Sequence, residues 1–523
     1  MLGHATRCVL VECALALLLG SVPATAQVVL DKVFGASDYA SVFDVGDTGD
    51  VDGDGVPDFV IGLPSEESGG VVTGVARLIS GADGETLITV SGQELNDTLG
   101  WAVDGVGDVD QDGFADFAVG AIENYFQSDE PGYARVVSGA DGHTIYQWIG
   151  GHPGQLYGQS VSGIGDYNQD GFVDILVCEA DAIGQGFAFI QSGKNGIGLT
   201  AFTSGSKSLG FNCDSAGDVN ADGFLDIILG TYNDSFAEVV AGKTGAVLHT
   251  FTAEGNYFGQ VVAGVGDVDQ DGFADVGIAD DSTGGGYVDV CSGQDGSVLA
   301  RFVGLSAFGY FGSAIAPAGD VDGDGFPDVA VGSSYEETVT VFDVGSGQEL
   351  WVAQGPPTST FGWDLANIGD IDGNGLSELA AAGLSEDLPG VPGVGAAYVL
   401  TTSSSTWTDL GHGSGSTPGG PVLAGSGPTS TGAVELTLAD APPLAPVLLV
   451  AGTSFAGWPL GDVTLVPMPD AILVDLQAGV LGSLVLIGRV PPGLQDEVFY
   501  VQAFVTGPGT ELVATNALAL TVR

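Results

Sequence analysis

Seven short stretches of the chain place oxygen-bearing side chains at alternate positions, in the pattern Asp-x-Asp/Asn-x-Asp/Asn-Gly-x-x-Asp/Glu. The residues are Asp50, Asp52, Asp54 and Asp58 in the first loop, then Asp108, Asp110, Asp112 and Asp116 in the second. The third has Asp166, Asn168, Asp170 and Asp174, and the fourth Asp218, Asn220, Asp222 and Asp226. Asp267, Asp269, Asp271 and Asp275 form the fifth, and Asp320, Asp322, Asp324 and Asp328 the sixth. The seventh is Asp370, Asp372, Asn374 and Glu378, where Asn and the longer Glu replace two aspartates. Calcium is a hard cation that takes about six to eight oxygens at roughly 2.3–2.6 Å, and alternate residues of a tight loop aim their oxygens at one point. Gly at position six, Gly55 in the first loop, permits the sharp turn, and a backbone carbonyl at position seven would add an oxygen. The pattern predicts up to seven Ca2+ ions, one per loop. An EF-hand is a different site: its position twelve must be a bidentate Glu, and here that position is Ile61 or Val119, inside apolar runs.

Other chemistry is thin. His143, His152, His249 and His412 are scattered over different repeats and a linker and read as solvated surface residues. Gly-x-Ser-x-Gly elbows, zinc-type His/Glu spacing and phosphate-cradling loops are missing from the sequence. The balance of 10 basic against 67 acidic residues gives a net charge of −57, which argues against nucleic acid and against anionic membrane surfaces as partners. Of those 67 acids, 25 sit at ligand positions in the seven loops, where they would repel one another strongly without a cation. A hydrophobic content of 44% is ample for a folded core, and 87 glycines without a Gly-X-Y period point to many turns between short strands.

The elements that must carry these loops form a repeat. Successive loops begin 58, 58, 52, 49, 53 and 50 residues apart, the length of a four-stranded propeller blade. Nine residues before six of the loops stands Leu, Tyr or Phe followed by Gly, as in Leu99-Gly100 and Phe361-Gly362; the first repeat departs, with Tyr39-Ala40 eleven residues ahead. After each loop comes an apolar run such as Phe59-Val60-Ile61-Gly62, read as a buried strand. A third strand follows, for example Val75 to Ile79, Tyr133 to Val137 or Tyr287 to Cys291, then a turn such as Ser80-Gly81-Ala82-Asp83-Gly84 and a fourth strand. The seventh repeat stops after Ala396 to Leu400, and the spare strand Val28 to Phe34 is predicted to pair beside it and close the ring.

The Phe-Gly start, the acidic loop and an ending such as Gly62-Leu63-Pro64 or Gly120-Ala121-Ile122 resemble the FG-GAP repeats of the integrin α-chain propeller, over about residues 27–402. The resemblance implies an all-β fold, a seven-bladed β-propeller of FG-GAP repeats, in which each metal loop joins the first two strands of a blade. It also implies a structural metal and a ligand face on the opposite side. No leg region, transmembrane helix or cytoplasmic tail follows the repeats, so secreted FG-GAP proteins of bacterial type are the closer match. The function this implies is a non-catalytic binding, adhesion or scaffold module for an extracellular protein or polysaccharide. The alternative is a calcium-dependent polysaccharide lyase or hydrolase on the same scaffold. The longest inserts, Leu63 to Gly74 and Ala121 to Pro131 with Tyr125 and Phe126, are candidate ligand contacts.

Residues 1–26 read as a signal peptide, with Arg7, an apolar stretch from Cys8 to Leu19, and Ala24-Thr25-Ala26 before Gln27, so the protein is expected to be secreted or on the cell surface, without a transmembrane span. Cys178, Cys213 and Cys291 then remain and are expected to be small buried residues rather than disulfide partners. Residues 403–414 read as a linker, and 415–523 as a small C-terminal β-sandwich that resembles C-terminal domains of secreted bacterial repeat proteins, which implies either sorting or surface attachment or a passive structural cap.

Overall fold

The computed structural model describes residues 28–34, 41–122, 130–152, 155–181, 186–203, 208–232, 234–253, 257–280, 285–306, 308–371, 375–388 and 391–401, and beyond them the backbone of strands between 406 and 521. The expected signal peptide, Tyr39-Ala40, Tyr125, Phe126, Asp372, Asn374 and His412 lie outside the described residues.

The repeats fold into seven four-stranded antiparallel blades. Blade one is Asp44–Gly49, Asp58–Leu63, Val75–Ile79 and Thr86–Ser91; blade two is Ala102–Gly107, Asp116–Ala121, Tyr133–Val137 and Thr144–Ile149. Blade three is Gln155–Gly163, Ile175–Asp181, Phe187–Gln191 and Gly198–Phe202; blade four is Cys213–Gly217, Asp226–Gly230, Phe236–Val240 and Val247–Thr252. Blade five is Phe258–Gly266, Asp275–Asp280, Tyr287–Cys291 and Val298–Val303; blade six is Phe311–Gly319, Asp328–Ser333, Thr338–Phe342 and Glu349–Gln354. Blade seven takes Leu365–Gly369, Glu378–Leu388 and Val391–Thr401 from the end of the ring and Val28–Phe34 from its beginning. The closing register pairs Val29 with Leu400 and Val33 with Ala397, as the missing fourth strand required.

Second strands such as Asp58–Leu63 and Asp116–Ala121 are buried at every residue, which is why they read as unbroken apolar runs. Their side chains pack across blade interfaces: Val60, Leu78, Phe117 and Val119 share one cluster, and Trp351, Phe361 and Tyr398 another. At four of the interfaces two glycines of the repeat meet: Gly62 with Gly100, Gly120 with Gly158, Gly230 with Gly259 and Gly332 with Gly362. A Cβ on Gly62 would lie 2.2 Å from the carbonyl oxygen of Gly100, and one on Gly332 would lie 2.1 Å from that of Gly362. The Phe-Gly start of one blade thus seats against the glycine of the preceding second strand.

One expectation is corrected here. Cys178 and Cys213 form a disulfide between the second strand of blade three and the first strand of blade four, across a sequence separation of 35, while Cys291 is free and buried. Cys178 occupies the position held by Gly62, Gly120, Gly230 and Gly332 in other blades, so its side chain faces the next blade, where Cys213 stands.

Past the ring, Thr406–Asp409, Leu512–Thr521, Val498–Thr506, Pro446–Gly452 and Ile472–Gln477 form a five-stranded sheet in that order. Val422–Ser426, Ala433–Ala439 and Leu484–Arg489 form a three-stranded sheet, and Phe455–Leu460 pairs with Val463–Pro467. This is the composition of a small β-sandwich. Thr406–Asp409 falls inside the expected linker 403–414 and is a strand paired with Leu512–Thr521.

Candidate metal loops and the opposite face

Each acidic loop joins the first and second strands of its blade, so all of them gather on one face of the ring. Within a loop, the position-one carboxylate ties the turn together. Asp108 accepts from the amides of Asp112 and Gly113, both at 3.0 Å, and Asp218 accepts from Asp222 at 3.0 Å and Gly223 at 2.8 Å. Asp166 and Asp267 hold the same two amides, Asp50 and Asp320 hold those of positions four and six, and Asp370 holds that of Gly375 at 2.8 Å. Position five accepts from the amide two residues on, as Asp54 does from Val56 and Asp324 from Phe326. These bonds leave carboxylate oxygens converging.

Ligand atoms of Asp50, Asp52 and Asp58 lie within 4.8 Å of one another, as do those of Asp108, Asp110 and Asp116; Asp267, Asp269 and Asp271; and Asp320, Asp322 and Asp328. An all-oxygen set at this spacing fits a hard divalent cation, and the donor set disfavours softer metals. In the third and fourth loops Asn168 and Asn220 supply amide oxygens in place of a carboxylate, and Asn220 Nδ2 donates to Asp226 at 3.0 Å. Beside the third loop, Lys194 Nζ lies 3.8 Å from Asp170 Oδ2 and adds positive charge there.

Position nine has a second role that spacing alone did not reveal. Asp116 is fully buried, accepts the Val109 amide at 2.8 Å on one oxygen, and accepts the amide of Gly139, in the hairpin turn between strands three and four, at 3.0 Å on the other. The same pair of bonds recurs at Asp58 with Val51 and Gly81, at Asp226 with Val219 and Gly242, and at Asp275 with Val268 and Gly293. Asp174 binds Asn168 and Gly193, and Glu378, despite its extra methylene, accepts from Ile371 at 2.8 Å. Burial pushes Asp116, Asp174, Asp226 and Asp275 up to about 6 and Asp328 up to about 7, with the neighbouring loop carboxylates adding to the rise and the amide bonds opposing it.

Blade six carries an acid that the motif did not include. Its hairpin turn has Asp343 where Ser80 and Ser138 stand in blades one and two, and Asp343 comes within 4.8 Å of Asp322 and Asp324. Alignment of the hairpin turns, rather than of the loops, was the signal for it.

The other end of the ring is built differently. The residues just before the first strands converge on a cavity of about 520 Å³ at the mouth of the central shaft, lined by Phe43, Trp101, Phe211, Tyr310 and Trp363 together with Asp44 and Asp364. Phe43 lies 4.3 Å from the Trp101 ring and 5.5 Å from the Trp363 ring, and Tyr310 stacks on exposed Tyr335 at 4.5 Å. Asp44 accepts from the Val103 amide at 2.6 Å, Asp364 from Val45 at 2.9 Å and Asp104 from Gly163 at 3.0 Å, so each carboxylate reaches the first strand of the next blade. Enclosure by the surrounding strands pushes Asp44 and Asp104 well above the usual carboxylate range, and Asp364 also rises, although all three residues are only half-buried. Asp44 and Asp364 hydrogen-bond to each other, so the two carboxyl groups titrate as one pair, with burial as the first cause of the rise.

Comparison with known proteins bears on this geometry. The FG-GAP repeat family matches residues 311–348, which is most of blade six. Integrin alpha-7 of Homo sapiens is 31% identical over 193 residues, covering 34% of this chain and 16% of its own length. Integrin alpha-V of Gallus gallus is 30% identical over 205 residues, 35% of this chain and 19% of its own. The ring is an integrin-α-like FG-GAP propeller. The chain spans less than a fifth of the length of these relatives.

Within the FG-GAP propeller the histidines stay apart. His143 is exposed and pairs with Asp141 at 2.7 Å, and His152 is exposed. His249 differs from the solvated residue expected: it is half-buried, with Nε2 2.7 Å from the carbonyl oxygen of Gly293 in the next blade's hairpin turn. The insert Leu63 to Gly74 carries a short ribbon, Glu67–Ser68 with Val71–Val72, and its Glu66 forms an ion pair with Arg77. Among the described residues no helix is long and apolar enough to cross a membrane.

Proposed function

We propose that the protein is a secreted or cell-surface binding module, a non-catalytic FG-GAP propeller whose loops hold structural Ca2+ and whose opposite face takes an extracellular ligand. The observation that carries this reading is the division of labour between the two ends of one ring: convergent oxygen-only loops at one end, and an aromatic cavity with two carboxyl groups at the other. In the loops, the ligands are the aspartates, asparagines and Glu378 of the seven motifs, with Asp372 and Asn374 completing the seventh. Calcium is favoured over magnesium because the donors are numerous carboxylates on a flexible turn rather than a near-octahedral set.

The cavity suits a partner that presents a positive charge. Aromatic faces attract cations, an adjacent carboxylate pairs with them, and the −57 net charge steers basic surfaces toward the protein. An extracellular protein with an exposed basic side chain is therefore the favoured ligand, with a polysaccharide stacking on the same rings as the other member of the class. The C-terminal sheets are proposed to serve attachment to a surface.

Binding of arrayed basic peptides and of glycans, measured with wild type and with the double variant Trp101→Ala/Trp363→Ala, tests the reading. Retention by the wild type and loss in the variant, without release of new reducing or unsaturated sugar ends, is the expected result. Turnover of any glycan overturns the non-catalytic assignment, and equal binding by both proteins removes the cavity from the account.

A further inference from the structure

Neighbouring acidic loops are physically linked, but only in part of the ring. Position four of the loop is Gln in three blades, and each of these side chains reaches the following blade. Gln111 Nε2 donates to the carbonyl oxygen of Gly171 at 2.8 Å, Gln169 to that of Gly223 at 3.2 Å, and Gln270 to that of Gly325. Gly171, Gly223 and Gly325 each hold position six of the next loop. The first, fourth and sixth loops have Gly53, Ala221 and Gly323 at position four, whose side chains are too short to make the link.

The backbone at this position makes the glutamines informative. Gln111, Gln169 and Gln270 have φ of 62°, 59° and 59°, the left-handed region that Gly53 and Gly323 occupy at no cost and that a side chain disfavours. A long amide is thus carried where the conformation favours glycine, and the contact each one makes is with the neighbouring loop.

We propose that Gln111, Gln169 and Gln270 couple the cation loops into two blocks, loops two to four and loops five and six, within which filling one loop favours filling the next. This rests on the proposal that the loops bind Ca2+. Position four lies between ligand positions three and five, so a cation that fixes Asp110 and Asp112 also fixes Gln111. The amide of Gln111 then holds the Gly171 carbonyl, and the N–H of that same peptide, on Phe172, donates to Asp170 at 3.2 Å, the position-five ligand of the next loop. A loop whose turn is already held loses less freedom on binding its own ion, and the effect is reciprocal between the two loops.

The test uses the full chain stripped of calcium. Loop two is disabled by Asp108→Asn/Asp112→Asn, and the calcium concentration that protects residues 166–174 from hydrogen exchange is measured with and without Gln111→Gly, a change that suits the left-handed backbone. With Gln111 present, disabling loop two should raise that midpoint about 2- to 10-fold, the range expected for one hydrogen bond. With Gly at 111 the midpoint should start raised and not move further. Disabling loop four by Asp218→Asn/Asp222→Asn should leave the loop-five midpoint, over residues 267–275, unchanged because Ala221 makes no link. An equal response with and without Gln111, or none in either, overturns the coupling while leaving calcium binding intact. Absence of calcium-induced protection in every loop overturns the coupling together with the calcium assignment.

Discussion

Asp116 and Gly139 are joined by a 3.0 Å hydrogen bond that ties the acidic loop of blade two to the hairpin turn of the same blade, 23 residues further on. The carboxylate that closes the candidate metal site is therefore also a structural acceptor. Both functions depend on its charge. With burial holding Asp116, Asp174, Asp226 and Asp275 up to about 6 and Asp328 up to about 7, protons would compete with the proposed Ca2+ for the same oxygens.

This competition fixes the sign of the pH dependence. An unfolded Asp titrates near 3.9, so the metal-free folded state binds these protons more tightly, and the stability that they contribute is lost as pH rises through about 6 to 7. With chelator present, the melting temperature should fall between pH 5 and pH 8. Calcium needs the deprotonated form, so its affinity should fall as pH drops through the same window. Calorimetric titrations at pH 5 and pH 7.5 that give equal affinity would contradict the assignment of these acids as ligands.

Ring closure is a second point of failure. Removal of residues 27–35 takes away the strand that pairs Val29 with Leu400 and Val33 with Ala397, leaving blade seven with three strands and an open edge. The expected outcome is a sharp drop in melting temperature and a tendency to associate through the exposed strand Val391–Thr401. A melt unchanged from wild type would mean that the pairing contributes little.

The glycine contact between blades predicts a strong response to one methyl group. At Gly120 a Cβ would meet the Gly158 carbonyl oxygen at 2.0 Å, so Gly120→Ala must push two blades apart and should cost about 1–3 kcal/mol. Gly55→Ala, with open space around its Cβ, is strained only through its φ of 93° and separates the two effects. Denaturant unfolding of the two variants measures both.

The Cys178–Cys213 bridge predicts one free thiol, that of Cys291, in denatured protein beginning at Gln27. Replacing both bridge cysteines by Ala should lower stability by about 2–4 kcal/mol, because the cross-link restricts the unfolded chain. Three titratable thiols would show that the bridge is absent.

Much of this fold is legible in the sequence because the repeat is punctuated at every level. Asp50, Asp108 and their equivalents mark the strand-one to strand-two loops, and the runs after Asp58 and Asp116 mark strands buried on both faces. The count of fourth strands shows that Val28–Phe34 has to close the ring. The parts that sequence reasoning missed depend on contacts between blades. Cys178 meets Cys213, His249 reaches Gly293, and Phe43 meets Trp101 only once the ring has curved. No spacing within a single repeat encodes those distances. The cavity was invisible for the same reason, since its aromatic residues come from blades one, two, four, six and seven.

The most direct test of the account is a thermal melt of the full chain in excess calcium and in excess chelator at pH 7.5. Ions that bind only the folded ring add stability by mass action, about 2.7 kcal/mol for each site held at a hundredfold excess over its dissociation constant. Chelator should therefore lower the melting temperature by many degrees, and returned calcium, but not magnesium, should restore it. Identical melts with and without chelator would contradict the assignment of the seven loops as calcium sites.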